Sequence, residues 1–289
     1  MVSVFSEKIK KTVSAEKTLL GLTNNKGREM YQKRAVFFLD ILGFGKKVEQ
    51  ASSDPKLMNK IQQCLTKIAS YSDVNAGSND FYLNVIRGDG LPDSDLQILT
   101  FSDSLVASVS CKQPESVALL AMVIQDIQFK LLEIGLLSRG GGDIGEMVHE
   151  ENGIMFGPAF NSAYMLESKL ADTPRILVGT KYMDYLTNDL DIDIKSLLES
   201  KLFVEYSDGH YGINSYAWVD KAMDGGFKTV PLSLINQALS DVETEIENNR
   251  YVPKVYSKLI WHRDYLKDSI LKNKNYEACK DVINIQIQP

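Results

Sequence analysis

Two aspartates, each placed where an apolar run ends, constrain the fold of this chain more than any other feature. Asp40 follows the run 35–39 and leads into a glycine-containing turn, and Asp103 separates the apolar segments 96–101 and 105–110. Short apolar runs bounded by turn residues predict buried strands. An ionised carboxylate at the end of such a strand is costly unless it is paired, hydrogen-bonded or bound to metal. The pair therefore suggests a hard-cation site, with turn capping by either aspartate as the alternative.

The rest of the chain alternates between strand-like and helix-like patterns. Strands are predicted over residues 35–39, 81–86, 96–101, 105–110, 137–148, 154–156, 175–178 and 211–219. Helices are predicted over residues 55–70, 114–134 and 158–169, with two further helices between 231 and 275. The paired strands on either side of Asp103 suit a hairpin with this residue at its turn. The strand 137–148 is expected to lie very close to another backbone or a ligand, because it contains Gly140, Gly141, Gly142 and Gly145.

Composition limits the class of protein and its partners. With 289 residues, of which 44% are hydrophobic and 24% charged, the chain can bury a full core, and one large domain with an appendage is expected. The net charge of -6 argues against a nucleic-acid groove or an anionic membrane surface as the main partner. The three cysteines are widely spaced and form no CxxC pair, which predicts reduced thiols rather than disulfides or a zinc site.

The chain is predicted to consist of three parts. Residues 1–30 are polar and lysine-rich and are expected to form an arm, residues 31–225 the main domain, and residues 226–289 a helical extension that is an appendage or a dimerisation arm. The N-terminus lacks the apolar core of a signal peptide, and no apolar run reaches the roughly 18 residues of a membrane span. A soluble, cytoplasmic protein is therefore expected.

Four short motifs occur in the order in which they stand in a known catalytic domain. Segment 38–44 reads Phe-Leu-Asp-Ile-Leu-Gly-Phe, segment 102–103 reads Ser-Asp, segment 139–141 reads Arg-Gly-Gly, and segment 156–163 reads Phe-Gly-Pro-Ala-Phe-Asn-Ser-Ala. They resemble the Phe-x-Asp-Ile-x-Gly-Phe opening, the Gly-Asp hairpin tip, the Arg-x-Gly strand and the Trp-Gly-x-x-Val-Asn-x-Ala helix start of class III nucleotide cyclases. The ordered set is a more specific signal than any one motif.

This resemblance implies an α+β, ferredoxin-like catalytic domain with a C-terminal helical appendage, acting as a homodimer with two active sites across the interface. Asp40 and Asp103 would bind two Mg²⁺ or Mn²⁺ ions per site, with the carbonyl of Ile41 as a further ligand. Asn161 of the opposite subunit would orient the ribose, and Arg139 would contact phosphate or pair with a carboxylate. The triphosphate would be received at a helix start by the amides of Leu42, Gly43, Phe44 and Gly45.

The chain departs from the purine-specific members of that family at four positions. Leu99 and Ile154 stand where adenylate cyclases carry a Lys and an Asp that read the adenine edge, and the residues of a guanine reader are missing too. Two apolar side chains cannot hydrogen-bond a purine edge, so a different base is expected. Met165 and Glu146 stand where the family carries arginines for the transition state and for phosphate. The cations that could replace them are Lys46, Lys47, Lys169 and Arg139.

Further matches lie in the glycine-rich strand and the helix after it. They are the opening 38–44, the segment 137–146, His149, and the segments 156–159 and 163–167. Together they resemble the bacterial pyrimidine cyclases of Pycsar anti-phage defence. This narrower resemblance implies conversion of UTP, or less often CTP, to the 3′,5′-cyclic monophosphate after phage infection. The product would activate a downstream effector that damages membranes or depletes NAD, so the cyclase itself would contact neither membrane nor nucleic acid.

The leading hypothesis is therefore a homodimeric uridylate cyclase that depends on Mg²⁺ or Mn²⁺. A catalytically silent, cyclase-like nucleotide sensor is the rival that Met165 and Glu146 favour, and a purine cyclase with a rearranged pocket is a third hypothesis. Ordinary structural roles are expected for three other residues: His149 on the surface, and Phe156 and Tyr164 in the core.

Overall fold

The computed structural model describes residues 31–72, 95–150, 153–224 and 230–283. The predicted arm at 1–30 and the predicted strand at 81–86 lie outside the described residues. Up to the glycine-rich strand the elements are β1 (Gln32–Leu42), α1 (Phe44–Ala51), α2 (Pro55–Ala69), β2 (Gln97–Phe101), β3 (Ser104–Ser110), α3 (Pro114–Glu133) and β4 (Leu137–His149). After it come β5 (Met155–Phe156), α4 (Pro158–Met165), β6 (Ile176–Val178), α5 (Thr180–Asp184), α6 (Ile194–Glu199), β7 (Phe203–Glu205), β8 (Tyr211–Ile213), α7 (Ala217–Met223), α8 (Ser233–Asn248), α9 (Pro253–Leu271) and α10 (Tyr276–Cys279).

The strands form one mixed sheet with the order β2-β3-β1-β4-β6-β8-β7, and β5 pairs with the end of β4. Strands β1 to β4 pair antiparallel with one another, whereas β6 runs parallel to β4. In the described part of the chain, helices α1 and α2 follow β1 and helix α3 follows β3. This β-α-β-β-α-β arrangement with β1 and β3 in the middle is ferredoxin-like. The predicted α+β, ferredoxin-like fold is therefore confirmed.

The two faces of β1 have different partners. Ala35, Phe37, Leu39 and Ile41 belong to the main core, which includes residues of α2 and α3. The alternate residues Val36 and Phe38 instead pack against Ala159 and Ala163 of α4. Because successive strand residues point to opposite faces, Asp40 continues the series of Val36 and Phe38. The sheet thus places this carboxylate on the α4 face.

The glycines of β4 allow close packing on both sides of the strand. A Cβ atom at Gly141 would overlap the carbonyl oxygen of Ala163 in α4 and the Cβ atom of Leu166. A Cβ atom at Gly140 would lie 2.6 Å from the carbonyl oxygen of Phe38. The expected close approach of another backbone is confirmed. Helix α4 and the π-helical turn Leu166–Leu170 pack directly against β4 at Gly141.

Most predicted elements are present, and proline explains several of their starts. The hairpin around Asp103 is confirmed, as are the two C-terminal helices. Proline fixes φ near its helical value and needs no hydrogen-bond acceptor at a first helical position, which suits the starts of α2, α3, α4 and α9. The strand predicted over 211–219 is partly wrong, because β8 ends at Ile213 and residues 217–223 form α7. The short strand β7 was not predicted.

The C-terminal helices form a second core that adjoins the sheet. Trp218 of α7, Leu239 of α8, and Leu266 and Ile270 of α9 are buried together. Other side chains of α9 pack beside β6, in a cluster that contains Leu177 and Trp261. Across the described residues, the structure has no helix with both the length and the apolar character that crossing a membrane requires.

Candidate active site

Asp40 lies near the end of β1, and Asp103 lies in the turn that leads into the neighbouring strand β3. Asp40 is opposite Ser104 in the register of β1 and β3, and the amide of Ile41 donates to the carbonyl oxygen of Asp103 over 2.6 Å. Ser102 has a φ of 53°, which tightens the hairpin turn that carries Asp103. The Asp40 carboxylate is partly exposed, and Asp103 is exposed at the turn. The fold thus brings together two residues that are far apart in sequence.

The oxygen atoms of Asp40, Asp103 and the Ile41 carbonyl suit a hard divalent cation. The N–H and C=O groups of one strand residue point to the same side, so the carbonyl of Ile41 faces the Asp103 turn together with its amide. Carboxylate and carbonyl oxygens are the ligands that Mg²⁺ and Mn²⁺ prefer. No cluster of three or more His, Cys, Asp or Glu side chains with metal-binding geometry occurs in the described ranges. A pair suffices for Mg²⁺, because this ion is commonly held by one or two carboxylates, with waters and substrate phosphates completing its shell.

Helix α1 begins directly beside this pair. Gly43 is its N-cap with a φ of 75°, and the first helical hydrogen bond runs from the amide of Lys47 to the carbonyl oxygen of Gly43 over 3.0 Å. The amides of Phe44 and Gly45 precede that bond and have no acceptor within the helix. Leu42 differs from the other residues of the predicted phosphate loop, because it is still part of β1, opposite Leu137. The helix start provides donors for an anion next to Asp40.

Arg139 lies opposite Asp40 on β4 and bridges two carboxylates. Its Nε donates to Oδ2 of Asp40 over 3.0 Å, and one of its terminal nitrogens lies 2.7 Å from Oε1 of Glu167. Glu167 belongs to the π-helical turn after α4 and is only 3% exposed. Burial raises the pKa of Glu167, and the adjacent guanidinium of Arg139 partly offsets this effect. Arg139 therefore joins the sheet to the α4 segment at the site.

A second cation, Lys258, reaches the same place from helix α9. Burial and the nearby Arg139 lower the pKa of the Lys258 ammonium group, whereas Asp40 and Glu167 raise it. Sequence reasoning did not single out Lys258, because it lies in a helix that appeared only as a charged, solvent-facing extension. No local pattern distinguishes it from other helical lysines. Its position depends on a contact between distant parts of the chain.

The residues expected near the base lie around the β2 strand and the start of α4. Leu99 is opposite Val106 in the β2–β3 register. If Gly153 carried a Cβ atom, both Cδ atoms of Leu99 would lie 3.8 Å from it. Ile154, next to Gly153, is 50% exposed. Asn161 lies in the first turn of α4 with its side chain exposed. Leu99 and the Ile154 turn are thus neighbours.

The same elements carry exposed apolar side chains. They come from β2, from the turn before α4 and from α4 itself: Phe101, Ile154, Phe156, Tyr164 and Met165. Core positions were expected for Phe156 and Tyr164, and this was wrong, because the two side chains are 43% and 47% exposed. Their rings still make edge contacts, Phe156 with Tyr31 and Tyr164 with Phe38. The sheet and α4 cover one side of each ring only.

His149 is buried, contrary to the surface position expected for it. The strand β4 continues to His149, and its side chain is 8% exposed, with Nδ1 2.8 Å from the hydroxyl of Ser108. The same hydroxyl accepts from Nε of Arg34, which is also paired with Asp95. Burial and the positive charge of Arg34 lower the pKa of His149 to about 4. His149 is therefore a neutral member of a buried polar network.

The other candidate cations have different surroundings. Lys46 is about half exposed and lies 3.5 Å from the carboxylate of Glu245 in α8. Lys169 is exposed in the turn after α4. Met165 and Glu146, which stand at the expected arginine positions, are both exposed. Of the candidates suggested by the sequence, Arg139 has the shortest nitrogen–oxygen distance to Asp40 that the described residues provide.

Comparison with known proteins gives matches among solved structures only. No protein-family model matches the chain, and no curated protein matches it. The guanylyl cyclase domain of the RhoGC fusion protein from the aquatic fungus Blastocladiella emersonii is 14% identical, with 63% of this chain and 95% of that chain covered and a TM-score of 0.41. The adenylyl cyclase CyaB from P. aeruginosa is also 14% identical, with coverages of 63% and 94% and a TM-score of 0.41. The catalytic core of a rhodopsin-guanylyl cyclase with converted specificity, in complex with ATPalphaS, is 14% identical, with 63% of this chain and 96% of that chain covered and a TM-score of 0.41. All three of these solved structures are adenylyl or guanylyl cyclases.

Proposed function

We propose that this protein is a nucleotide cyclase that converts UTP to 3′,5′-cyclic UMP and pyrophosphate, as a cytoplasmic second-messenger signal in anti-phage defence. The observation that carries the proposal is the arrangement of Asp40, near the end of β1, and Asp103, in the adjoining β2–β3 turn, beside the start of α1. Carboxylates next to free helix amides suit a metal-chelated triphosphate. CTP is the alternative substrate, giving cyclic CMP.

Different residues of the site would bind the metal ions, the phosphates and the ribose. Asp40, Asp103 and the Ile41 carbonyl would hold two Mg²⁺ or Mn²⁺ ions, which supply acidification of the 3′-hydroxyl and charge stabilisation of the departing pyrophosphate. The amides of Phe44 and Gly45 bind phosphate oxygens, and Asn161 orients the ribose. The 3′-oxygen forms a bond to the α-phosphorus, the bond to the β-phosphate bridging oxygen breaks, and the hydroxyl proton passes to solvent. No covalent protein intermediate is required.

The proposed preference for a pyrimidine rests on Leu99 and Ile154. Leu99 lies beside the turn that carries Ile154, so the two apolar side chains occupy one region of the α4 face. Neither can donate to or accept from the edge of a base, and a purine reader built on these positions would lack its hydrogen bonds. A smaller base that is read by other groups suits this region better.

The proposal includes a homodimer with active sites across the interface. The side chains of Phe101, Ile154, Phe156, Tyr164 and Met165 are exposed in a single chain, on β2, the turn before α4 and α4, the helix that carries Asn161. Exposed apolar patches of this kind mark association surfaces, because covering them removes apolar area from water. A second copy seated there would bring Asn161 of one subunit to the aspartates of the other.

The second candidate function is a catalytically silent nucleotide sensor. The observation in its favour is that Arg139 is already bound to Asp40 and Glu167, while Met165 and Glu146 add no cation. A site with too few cations can bind a nucleotide and still fail to stabilise the charge that develops on the phosphates.

The purified protein incubated with each of the four nucleoside triphosphates and Mn²⁺ separates these functions. Cyclic UMP, or cyclic CMP for the alternative substrate, with stoichiometric pyrophosphate, is the expected result. Cyclic AMP or cyclic GMP as the main product would exclude the pyrimidine assignment. Tight nucleotide binding without pyrophosphate release, even at high Mn²⁺, would decide for the sensor. The variant D103N serves as the control for metal dependence.

A further inference from the structure

We propose that Lys258, supplied by the C-terminal helix α9, is a phosphate-binding residue of this site and the cation that the replaced arginines leave missing. This inference rests on the proposed function, because it assumes that the site takes a phosphorylated ligand. It gives the C-terminal helices a role in the site itself rather than that of an appendage.

Several charged groups surround Asp40. Arg139 is engaged by two carboxylates, over 3.0 Å to Asp40 and 2.7 Å to Glu167. Two carboxylates and one guanidinium leave a net negative charge on this partly buried cluster. Lys258 lies within electrostatic range of all three groups and of Asp172. Lys258 is therefore a partly buried cation close enough to the predicted metal ligand for their charges to interact, and it is not part of the Arg139 bridge.

The position of α9 is fixed by the packing of the residues that follow Lys258. Leu259, 9% exposed, lies in a cluster with Leu137 at the start of β4. Trp261 stacks on Tyr265 with ring centroids 5.0 Å apart, and both pack in the cluster that contains Leu166 of the π-helical turn. The residue after Lys258 and the aromatic pair beyond it thus hold this part of the helix against the site.

The neighbouring helix α8 contacts the other side of the site. Glu245 of α8 lies 3.5 Å from Lys46, in the first turn of the proposed phosphate-binding helix α1. Lys267 of α9 is paired with Glu243 of α8 over 3.0 Å, which links the two C-terminal helices. The pair α8 and α9 therefore flanks the site, from α1 on one side to Glu167 on the other.

An ammonium group in such a place has the chemistry of a phosphate ligand. A lysine ammonium is a compact charge with three donors, and it donates to a phosphate oxygen as readily as to a carboxylate oxygen. The alternative is that Lys258 only neutralises Glu167 and Asp172. These two roles differ in the size of the effect when the charge is removed, because the first loses a direct contact with phosphate and the second loses only a through-space attraction.

The experiment measures pyrophosphate binding by calorimetry in the presence of Mn²⁺, together with the KM for UTP and the thermal midpoint. K258M keeps most of the aliphatic stem and removes the charge, and about a tenfold loss in pyrophosphate affinity is expected from one charge-assisted contact. K258R keeps the charge and should restore most of the affinity. K254M is the matched control, because Lys254 is exposed one turn earlier on α9, and its affinity should equal that of the unaltered protein.

Each outcome decides between the hypotheses. Equal pyrophosphate affinity of K258M and the unaltered protein overturns the inference, as does an equal loss in K254M. If K258M fails to fold, the same comparison is made with K258Q, and unchanged affinity there has the same meaning. A protein that makes no cyclic nucleotide but loses pyrophosphate affinity in K258M disproves the cyclase and keeps the phosphate site. If the unaltered protein makes cyclic UMP, and K258M has the same KM for UTP and the same pyrophosphate affinity, the cyclase function stands and only the role of Lys258 is disproved. An unaltered protein that binds no pyrophosphate overturns the inference outright.

Discussion

At the scale of single residues, the site depends on charges that the sheet brings together. Asp40 and Arg139 are opposite each other on β1 and β4, and the Asp103 turn lies on the other side of β1. The role of a charged residue here is set by its neighbours across the strands, because each partner comes from a distant part of the sequence. Removing the charge of Asp40 and that of Asp103 in separate variants therefore distinguishes metal binding from the ion pair between Asp40 and Arg139.

The variants D40N and D103N are expected to lose at least about a hundredfold in cyclase activity, because each removes an anionic ligand from the proposed two-ion site. Neither variant should unfold, since Arg139 keeps Glu167 as a partner in D40N and Asp103 lies in an exposed turn. Cyclic nucleotide formation at several Mn²⁺ concentrations, with circular dichroism for the fold, checks this. D184N, at an exposed position in α5, is the control. Undiminished turnover in either variant would remove that aspartate from the site.

His149 predicts a pH dependence of stability. Its pKa is lowered from 6.5 to about 4 in the folded protein, so the unfolded chain binds a proton that the folded protein does not. This contribution is fully present above about pH 6.5 and is lost as the pH falls towards 4, by up to roughly 3 kcal/mol. Urea unfolding at pH 7 and pH 4.5 measures it.

In H149Q the decrease in the free energy of unfolding between these two pH values should be smaller than in the unaltered protein. His262, whose pKa burial also lowers to about 4, is present in both proteins, so its effect cancels in the comparison. An equal decrease in both proteins would contradict the assignment of His149 as a buried neutral group.

At the scale of secondary structure elements, the glycines of β4 fix the position of α4, and α4 carries Asn161. The variant G141A is expected to cost about 1–3 kcal/mol of stability, because its Cβ atom would overlap the carbonyl of Ala163 and the side chain of Leu166. G145A is the matched control on the same strand, since its Cβ atom would meet Ala159 at an ordinary distance of 3.5 Å. Chemical unfolding of both variants checks the prediction, and equal stability would contradict it.

The G141A variant should also lose activity beyond its loss of stability, measured at a temperature where it is folded. Relief of the overlap requires α4 to move away from β4, and Asn161 moves with it. Full activity in folded G141A would show that the position of α4 does not matter for turnover.

The elements that could be predicted from the sequence are those with a local signature. Alternating apolar residues on both sides of Asp103 indicated the hairpin, and Pro114 with its apolar spacing indicated α3. The start of helix α7 was mistaken for strand because its first residues, 217–219, are an apolar run, and the polar residues Asp220 and Lys221 follow only after the predicted strand ends. The burial of His149 and the position of Lys258 could not be predicted, since both depend on contacts between residues far apart in the chain.

At the scale of the whole molecule, the proposed homodimer would assemble each active site from residues of two subunits. Asp40 lies at the end of β1 beside α1, whereas Asn161 lies in the exposed first turn of α4, the helix that carries part of the proposed dimer surface. If a second copy covers that surface, each complete site combines the aspartates of one subunit with Asn161 of the other. Two variants that are inactive for different reasons can then restore each other.

Mixing D40N with N161A is therefore expected to recover cyclase activity that neither variant has alone. Random reassociation of equal amounts makes about half of the dimers mixed, and each mixed dimer contains one intact site, so the recovered activity should approach about a quarter of that of the unaltered protein. Cyclic UMP formation against mixing ratio checks this, with D40N mixed with D103N as the control, because those two changes affect the same half of the site and should not complement. Recovery in the control, or none in the test mixture although light scattering confirms dimers, would contradict a site shared between subunits.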